Sequence, residues 1–180
     1  WDIIKERHWL PFILPNGAVA HRLQGVRDVS VKFRDAGSTM FWAALFLWDT
    51  LHFTGVTTKL YAQNDVGSML LLKKVKDMFL SIPEHPLFRP VTGEDNDHFL
   101  TFPTIRSQLL CSTPGSSETV AEQQGRGDTG DNLLLTEYPF WPKPESTLDA
   151  LVGRIASTAN VVIESTGKHM NDALHQMMEL

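Results

Sequence analysis

Residues 28–48, "DVSVKFRDAGSTMFWAALFLW", decide the fold. The stretch opens with alternating, β-branched residues, "DVSVKF" (28–33), which predict a strand. "AGST" makes a turn, and residues 39–52 are apolar on almost every side, as in a helix buried on both faces. A strand feeding a helix through a glycine turn admits two readings. In the first, the helix N-terminus presents backbone N–H groups to a phosphate, Gly37 lets the backbone approach, and the Thr39 hydroxyl reaches Mg²⁺. The usual loop places a lysine between its last glycine and Ser/Thr. Here Ser38 takes that place and the basic residues, Lys32 and Arg34, precede the glycine. In the second reading the turn is an ordinary junction with a Ser/Thr N-cap.

Outward from this stretch the alternation of strands and helices continues. "TTKLYAQ" (57–63) predicts a strand, and Asp65 is placed to cap a helix over 66–81. "HFLTFP" and "SQLLCST" predict two strands in a hairpin around Pro103. Residues 113–131 form a polar loop rich in Gly and Pro. "NLLLT" (132–136) and "NVVIEST" (160–166) are apolar in the manner of central strands, with helices over 146–157 and 169–180. The expected fold is α/β: a three-layer α/β/α sandwich with a mostly parallel central sheet. In such sheets ligands sit at the carboxyl ends of the strands. Those ends read "KFRDAGST", "YAQND", "LLLTE" and "VIEST", so the polar chemistry of the chain gathers there.

Composition narrows the function. The chain has 180 residues and a net charge of −5, so a nucleic-acid contact needs a local patch or another domain. One cysteine, Cys111, excludes an internal disulfide framework and reads as a small buried apolar residue. "MFWAALFLW" (40–48) is too short to span a bilayer. The first residue is Trp1, so the chain reads as a fragment. Seven histidines show no His-Glu-x-x-His spacing. "RGD" (126–128) is short enough to arise by chance, and "KKVKD" (73–77) reads as a solvated helix face. The tryptophans beside Phe41 and Phe46 read as core.

Two strand ends carry specific chemistry. "NLLLTEYPFWP" ends a buried strand in Thr136-Glu137. ATPases of the additional-strand type place an acidic pair there, one residue serving Mg²⁺ and the following glutamate orienting the attacking water. Only Glu137 is acidic here; the Thr136 hydroxyl can bond a metal-bound water but brings no charge. Glu164-Ser165-Thr166 ends the next strand, where hydroxyls can exchange partners on hydrolysis or cap the following helix.

Taken in order, these stretches resemble the ATPase domain of the large terminase subunit of tailed phages, the DNA-packaging motor. That family often carries a loop of the form Lys-x-Arg-Gln-x-Gly-x-Ser/Thr, and this chain has Lys32-Phe33-Arg34-Asp35-Ala36-Gly37-Ser38-Thr39. The acidic strand of many members ends in Ser-Glu followed by Phe-Trp, here Thr136-Glu137-Tyr138-Pro139-Phe140-Trp141. Gly125-Arg126-Gly127 lies upstream, and Glu164-Ser165-Thr166 follows. "KLYAQNDVGSMLLLKKVKDMF" is similar to the family's second strand and helix. Asp35, where the family has Gln, and Phe33 depart from the pattern.

The resemblance implies a P-loop NTPase of the additional-strand (ASCE) type over residues 25–180, after a lead-in segment over 1–24. It implies ATP and Mg²⁺ as ligand and cofactor. Lys32, Arg34, Ala36, Gly37, Ser38 and Thr39 would bind ATP, with Thr39 and Thr136 serving Mg²⁺, Thr136 through water. Glu137 would act on the water, Arg34 would take a catalytic role at the phosphates, and Arg126 would reach a neighbouring subunit's ATP as an arginine finger. Ser165 and Thr166 would couple hydrolysis to movement. The partners implied are double-stranded DNA, the small terminase subunit, the portal protein and further copies in a ring, in the host cytoplasm at the procapsid portal. The family's nuclease domain has no counterpart in these residues, so the expectation is ATP hydrolysis without DNA cleavage. A helicase-like ATPase and a catalytically weakened scaffold are the alternatives.

Overall fold

The computed structural model describes residues 8–13, 19–33, 37–85, 88–114, 130–153 and 155–166. Arg34, Asp35, Ala36, the Gly125-Arg126-Gly127 run and the expected closing helix over 169–180 lie outside the described residues.

The chain begins with two short strands, β1 (Trp9–Ile13) and β2 (Val19–Leu23), paired antiparallel in a sheet of their own. Then follow β3 (Arg27–Val31), α1 (Ser38–His52), β4 (Thr57–Tyr61), α2 (Asp65–Ser81), β5 (Phe99–Phe102) and β6 (Ser107–Ser112). After β7 (Asn132–Thr136) come a 3₁₀ turn (Tyr138–Phe140), α3 (Pro144–Val152) and β8 (Asn160–Ser165). The six strands from β3 onward form one sheet in the order β3-β8-β7-β4-β6-β5. Every neighbouring pair is parallel except β5 and β6, the hairpin expected around Pro103.

The sheet has helices on both faces because its central strands are apolar on both. Leu134 of β7 and Val162 of β8 pack with Phe46 and Leu47 of α1 and Leu72 and Val75 of α2. Their neighbours along the strands, Leu133, Leu135, Val161 and Ile163, face the other way, onto Tyr138, Trp141 and Leu151. This alternation is the two-residue period of a strand written in leucine and valine. Each such buried side chain contributes about 1.5–3 kcal/mol. Cys111 belongs to the first cluster and is 1% exposed.

α1, expected to be buried on both faces, is buried on one: Trp42 is core, but Phe41 and Trp48 on the outer face are 44% and 36% exposed. Its inner face meets the sheet, while on the outer side Trp48 meets Trp9 of β1 with ring centroids 5.6 Å apart and planes tilted by 31°. The lead-in segment therefore contains a folded hairpin, which its short, weakly alternating strands do not announce in sequence. A buried ion pair pins that hairpin: Arg22 Nε and Nη2 each donate to the Asp49 carboxylate at 2.9 Å. Asn132 Nδ2 donates to the same carboxylate at 2.7 Å, and Asn160 Nδ2 donates to Asn132 Oδ1 at 2.7 Å. The network joins β2, α1, β7 and β8 at the amino-terminal edge of the sheet, away from the strand ends that carry the chemistry.

Several element boundaries differ from expectation. The N-cap of α2 is Asn64, whose Oδ1 accepts from the Gly67 amide at 2.8 Å; Asp65 is the first helical residue, where its charge favours the helix dipole. α3 starts two residues earlier than expected, with Pro144 supplying a preset φ at the first position, and ends at Val152. No helix among the described residues is long and apolar enough to cross a membrane.

Candidate functional site

Parallel register brings the informative strand ends to one edge. Val31 lies opposite Ser165, Thr136 opposite Glu164, and Tyr61 opposite Leu135. The residues just beyond them line a cleft of about 800 Å³, walled by Lys32, Gly37, Thr39, Thr136, Glu137 and Thr166 on one side. Met40, Asn64, Leu70, Lys74 and Phe140 close the rest of it.

Gly37 stands at the start of α1 in the left-handed region, φ 76° and ψ 0°. A Cβ there would meet nothing within 4 Å, so the backbone conformation, not crowding, requires glycine. Among the described residues no side chain caps the helix. The Ser/Thr cap that the sequence allowed is therefore not formed. The first turn of α1 borders the cleft that Gly37 and Thr39 line, and a helix start of this kind carries backbone amides that no intrahelical carbonyl takes.

Ser38 and Lys32 are drawn instead to a residue whose role the sequence left unassigned. Glu164 of β8 is 0% exposed. Its carboxylate accepts from the Ser38 hydroxyl at one oxygen and from Lys32 Nζ, at 2.9 Å, at the other. Lys32 Nζ also donates to Thr39 Oγ1. The ammonium thus faces the cleft while anchored to the loop-side helix and to β8. Asp28, two strand positions from Ser30, which pairs with Glu164, has its carboxyl pushed up by burial and also by the Glu164 charge. The signal for Glu164 was present: it is a charged residue inside an otherwise apolar central strand.

Glu137 lies at the end of β7 with φ 54°, ψ 38°, a left-handed conformation that costs a non-glycine residue about 1–2 kcal/mol. Its amide donates to the Glu164 carbonyl at 2.8 Å. The carboxylate Oε2 accepts from Ser165 Oγ at 3.0 Å and Thr166 Oγ1 at 3.2 Å. Oε1 is 4.0 Å from Lys32 Nζ, and the side chain is 31% exposed. Glu137 is thereby aimed, charged-partnered and open to the cleft at once.

Thr136 Oγ1 donates to the Tyr61 carbonyl at 3.1 Å, which leaves its lone pairs to accept from a water. Trp141 Nε1 donates to the Thr136 carbonyl at 3.0 Å, explaining the aromatic pair after the acidic strand: the indole holds the turn that carries Glu137. Among the described residues no three His, Cys, Asp or Glu side chains gather into a metal-holding group. Mg²⁺ needs less, since it binds through one or two carboxylates, waters and substrate phosphates. Thr39, Thr136 and Glu137 offer hard oxygen donors in the same cleft and fit that requirement.

The structure thus brings together Lys32, Gly37, Ser38, Thr39, Thr136, Glu137, Ser165 and Thr166. Arg34, Ala36 and Arg126 are outside the described residues. No protein-family model and no curated protein matches the chain, so the reading of the site rests on its own residues.

Proposed function

We propose that this chain is the ATP-hydrolysing motor domain of a viral terminase large subunit, driving double-stranded DNA into a procapsid. The observation that carries the ATPase part is the single cleft shared by the uncapped N-terminus of α1 at Gly37 and the Glu137 carboxylate. The strand order supports it: β8 stands between the loop strand β3 and the acidic strand β7, as an additional-strand ATPase requires. The packaging part rests on the ordered set of loop, acidic strand and Glu-Ser-Thr motifs.

In this reading the α1 amides and the inward-facing ammonium of Lys32 receive the phosphates. Mg²⁺, served by Thr39 and by Thr136 through water, neutralises phosphate charge when bound. Glu137 accepts a hydrogen bond from the attacking water and orients it. Ser165 and Thr166 hold the carboxylate in place and change partners when the phosphate leaves. Arg34 and a neighbouring subunit's Arg126 complete the cationic surround in a ring, with DNA, the small subunit and the portal as partners in the host cytoplasm.

One observation favours a second reading, a nucleotide-binding scaffold with weak turnover: Lys32 is already engaged by Glu164 and Thr39. Turnover decides between them. The purified protein should hydrolyse MgATP, and Glu137→Gln should lower kcat about a hundredfold or more while nucleotide still binds. Equal hydrolysis by the variant removes Glu137 from the mechanism. Stimulation by procapsids bearing a portal identifies packaging; stimulation by nucleic acid alone identifies a helicase-type motor. Arg126→Ala mixed with wild type should depress hydrolysis beyond dilution, and a proportional loss rejects action in trans.

A further inference from the structure

Lys32 sits between two carboxylates and is bonded to only one of them. Glu164 Oε1 is 2.9 Å from the ammonium, whereas Glu137 Oε1 is 4.0 Å away. Glu164 is fully buried, and Glu137 is partly exposed. Buried charges form the stronger, less screened pair, so Lys32 stays with Glu164. Three oxygens therefore compete for one cation: Glu164, Glu137 and any arriving phosphate. Glu164 wins in the free protein.

We propose that Glu164 is a positioning residue that keeps Lys32 off the Glu137 carboxylate and fixes Ser38 at the start of α1. This rests on the ATPase reading of the cleft. The arrangement has two consequences of opposite sign. Glu164 places a second negative charge close to the phosphate position, which weakens nucleotide binding. It also keeps Glu137, whose Oε1 lies 4.0 Å from Lys32 Nζ, out of hydrogen-bond contact with the ammonium and held by Ser165 and Thr166, ready to accept a proton or hydrogen bond from water. A residue that only supported the fold would give neither separation: its loss would weaken binding and turnover together.

Glu164→Gln removes the charge and keeps the shape. Lys32 then turns to Glu137, 4.0 Å away, and the site loses one negative charge. Titration calorimetry with MgATP should show binding about threefold to tenfold tighter, with kcat about tenfold lower. Glu164→Asp keeps the charge and shortens the reach; its MgATP affinity should stay near that of the wild type. A purely structural role predicts the reverse order, since Asp both opens a void and misplaces the charge. Weaker or unchanged MgATP binding in Glu164→Gln overturns the proposal, as does an Asp variant that shifts affinity as far as Gln does.

The ligand-free protein supplies a readout independent of ATP. Amide hydrogen exchange over residues 38–42 should speed up in Glu164→Gln, because Ser38 loses a charged acceptor. If wild-type protein binds no MgATP, the ATPase reading falls, and this exchange alone decides the contact. Faster exchange upholds the Glu164 anchor; unchanged exchange overturns it.

Discussion

Ser165 Oγ lies 3.0 Å from Glu137 Oε2 and 2.7 Å from the Thr166 carbonyl, its one proton shared between the two acceptors, and joins the carboxyl ends of β8 and β7 across the cleft edge. Thr166 Oγ1 reaches the same oxygen at 3.2 Å. Two hydroxyls on one carboxylate oxygen leave the other oxygen to face Lys32 and the cleft. The pair explains why a Ser-Thr dipeptide should end a central strand here: it steers the carboxylate to which the proposed reading assigns the water.

Removing those hydroxyls should misdirect Glu137 without removing it. Ser165→Ala with Thr166→Val deletes two charge-assisted bonds, each contributing about 1.5–3 kcal/mol. The carboxylate then relaxes toward Lys32. Steady-state kinetics should show kcat down about tenfold to a hundredfold with KM for ATP nearly unchanged. A KM effect without a kcat effect would assign the hydroxyls to binding instead.

Glu137 also carries backbone strain, and that strain is measurable apart from activity. Glu137→Ala and Glu137→Gly both delete the carboxylate and both should abolish efficient hydrolysis. They differ in backbone: alanine must keep φ at 54°, which glycine adopts freely. Urea unfolding should therefore find the Gly variant about 1 kcal/mol more stable than the Ala variant. Equal stabilities would mean that the turn relaxes once the side chain is gone.

Much of this site could be read from the sequence because its parts sit where apolar strands stop. The apolar runs 133–135 in "NLLLT" and 161–163 in "NVVIES" mark two central strands, and the polar residues that follow each run include Glu137 and Ser165. Glu164 was harder. Its burial is tolerated only because Lys32 and Ser38, 132 and 126 residues distant in the chain, converge on it, and no local pattern encodes that. The β1–β2 hairpin was missed for a related reason. Its strands are stabilised by α1 and by the Arg22–Asp49 pair, not by their own alternation. α1 gave only a partial clue: its apolar outer face meets the hairpin at Trp9 but leaves Phe41 and much of Trp48 exposed.

The docking of the hairpin on α1 should depend on Arg22. Asp49 is 2% exposed and accepts from Arg22 Nε and Nη2 as well as from Asn132, while Nη2 also lies 3.3 Å from the more exposed Asp131 carboxylate. Arg22→Met leaves the carboxylate buried without its cation, a change that costs about 3–5 kcal/mol. Arg22→Met combined with Asp49→Leu should recover a large part of that loss, because a buried pair replaced by apolar groups is near neutral. Denaturant unfolding of the two single variants and the double variant measures the coupling. Additive losses would show that the pair contributes nothing beyond its separate side chains.

Alkaline pH should unfold the protein through its core. Burial pushes the Cys111 thiol from 9.0 up to about 12, with hydrogen bonds from the Leu72 and Ser112 backbone opposing the rise. Burial, with the charges of Glu145 and Asp149, also raises the Tyr138 phenol from 10.0. Above pH 9 the unfolded chain releases the thiol proton while the folded chain keeps it, so the unfolded state gains. Each such group lowers stability by up to about 1.4 kcal/mol per pH unit. For Cys111 the loss begins near pH 9 and ends near pH 12. Between pH 9 and 10 the thiol precedes the phenol, so Cys111→Ala should flatten the fall in unfolding free energy over that unit, even though the smaller side chain lowers stability at pH 8. A slope unchanged by the substitution would mean that the thiol ionises within the folded core. Thiol labelling at pH 8 checks the same point kinetically: Cys111 should react only as fast as the protein opens, because a buried, protonated sulfur offers the reagent no thiolate.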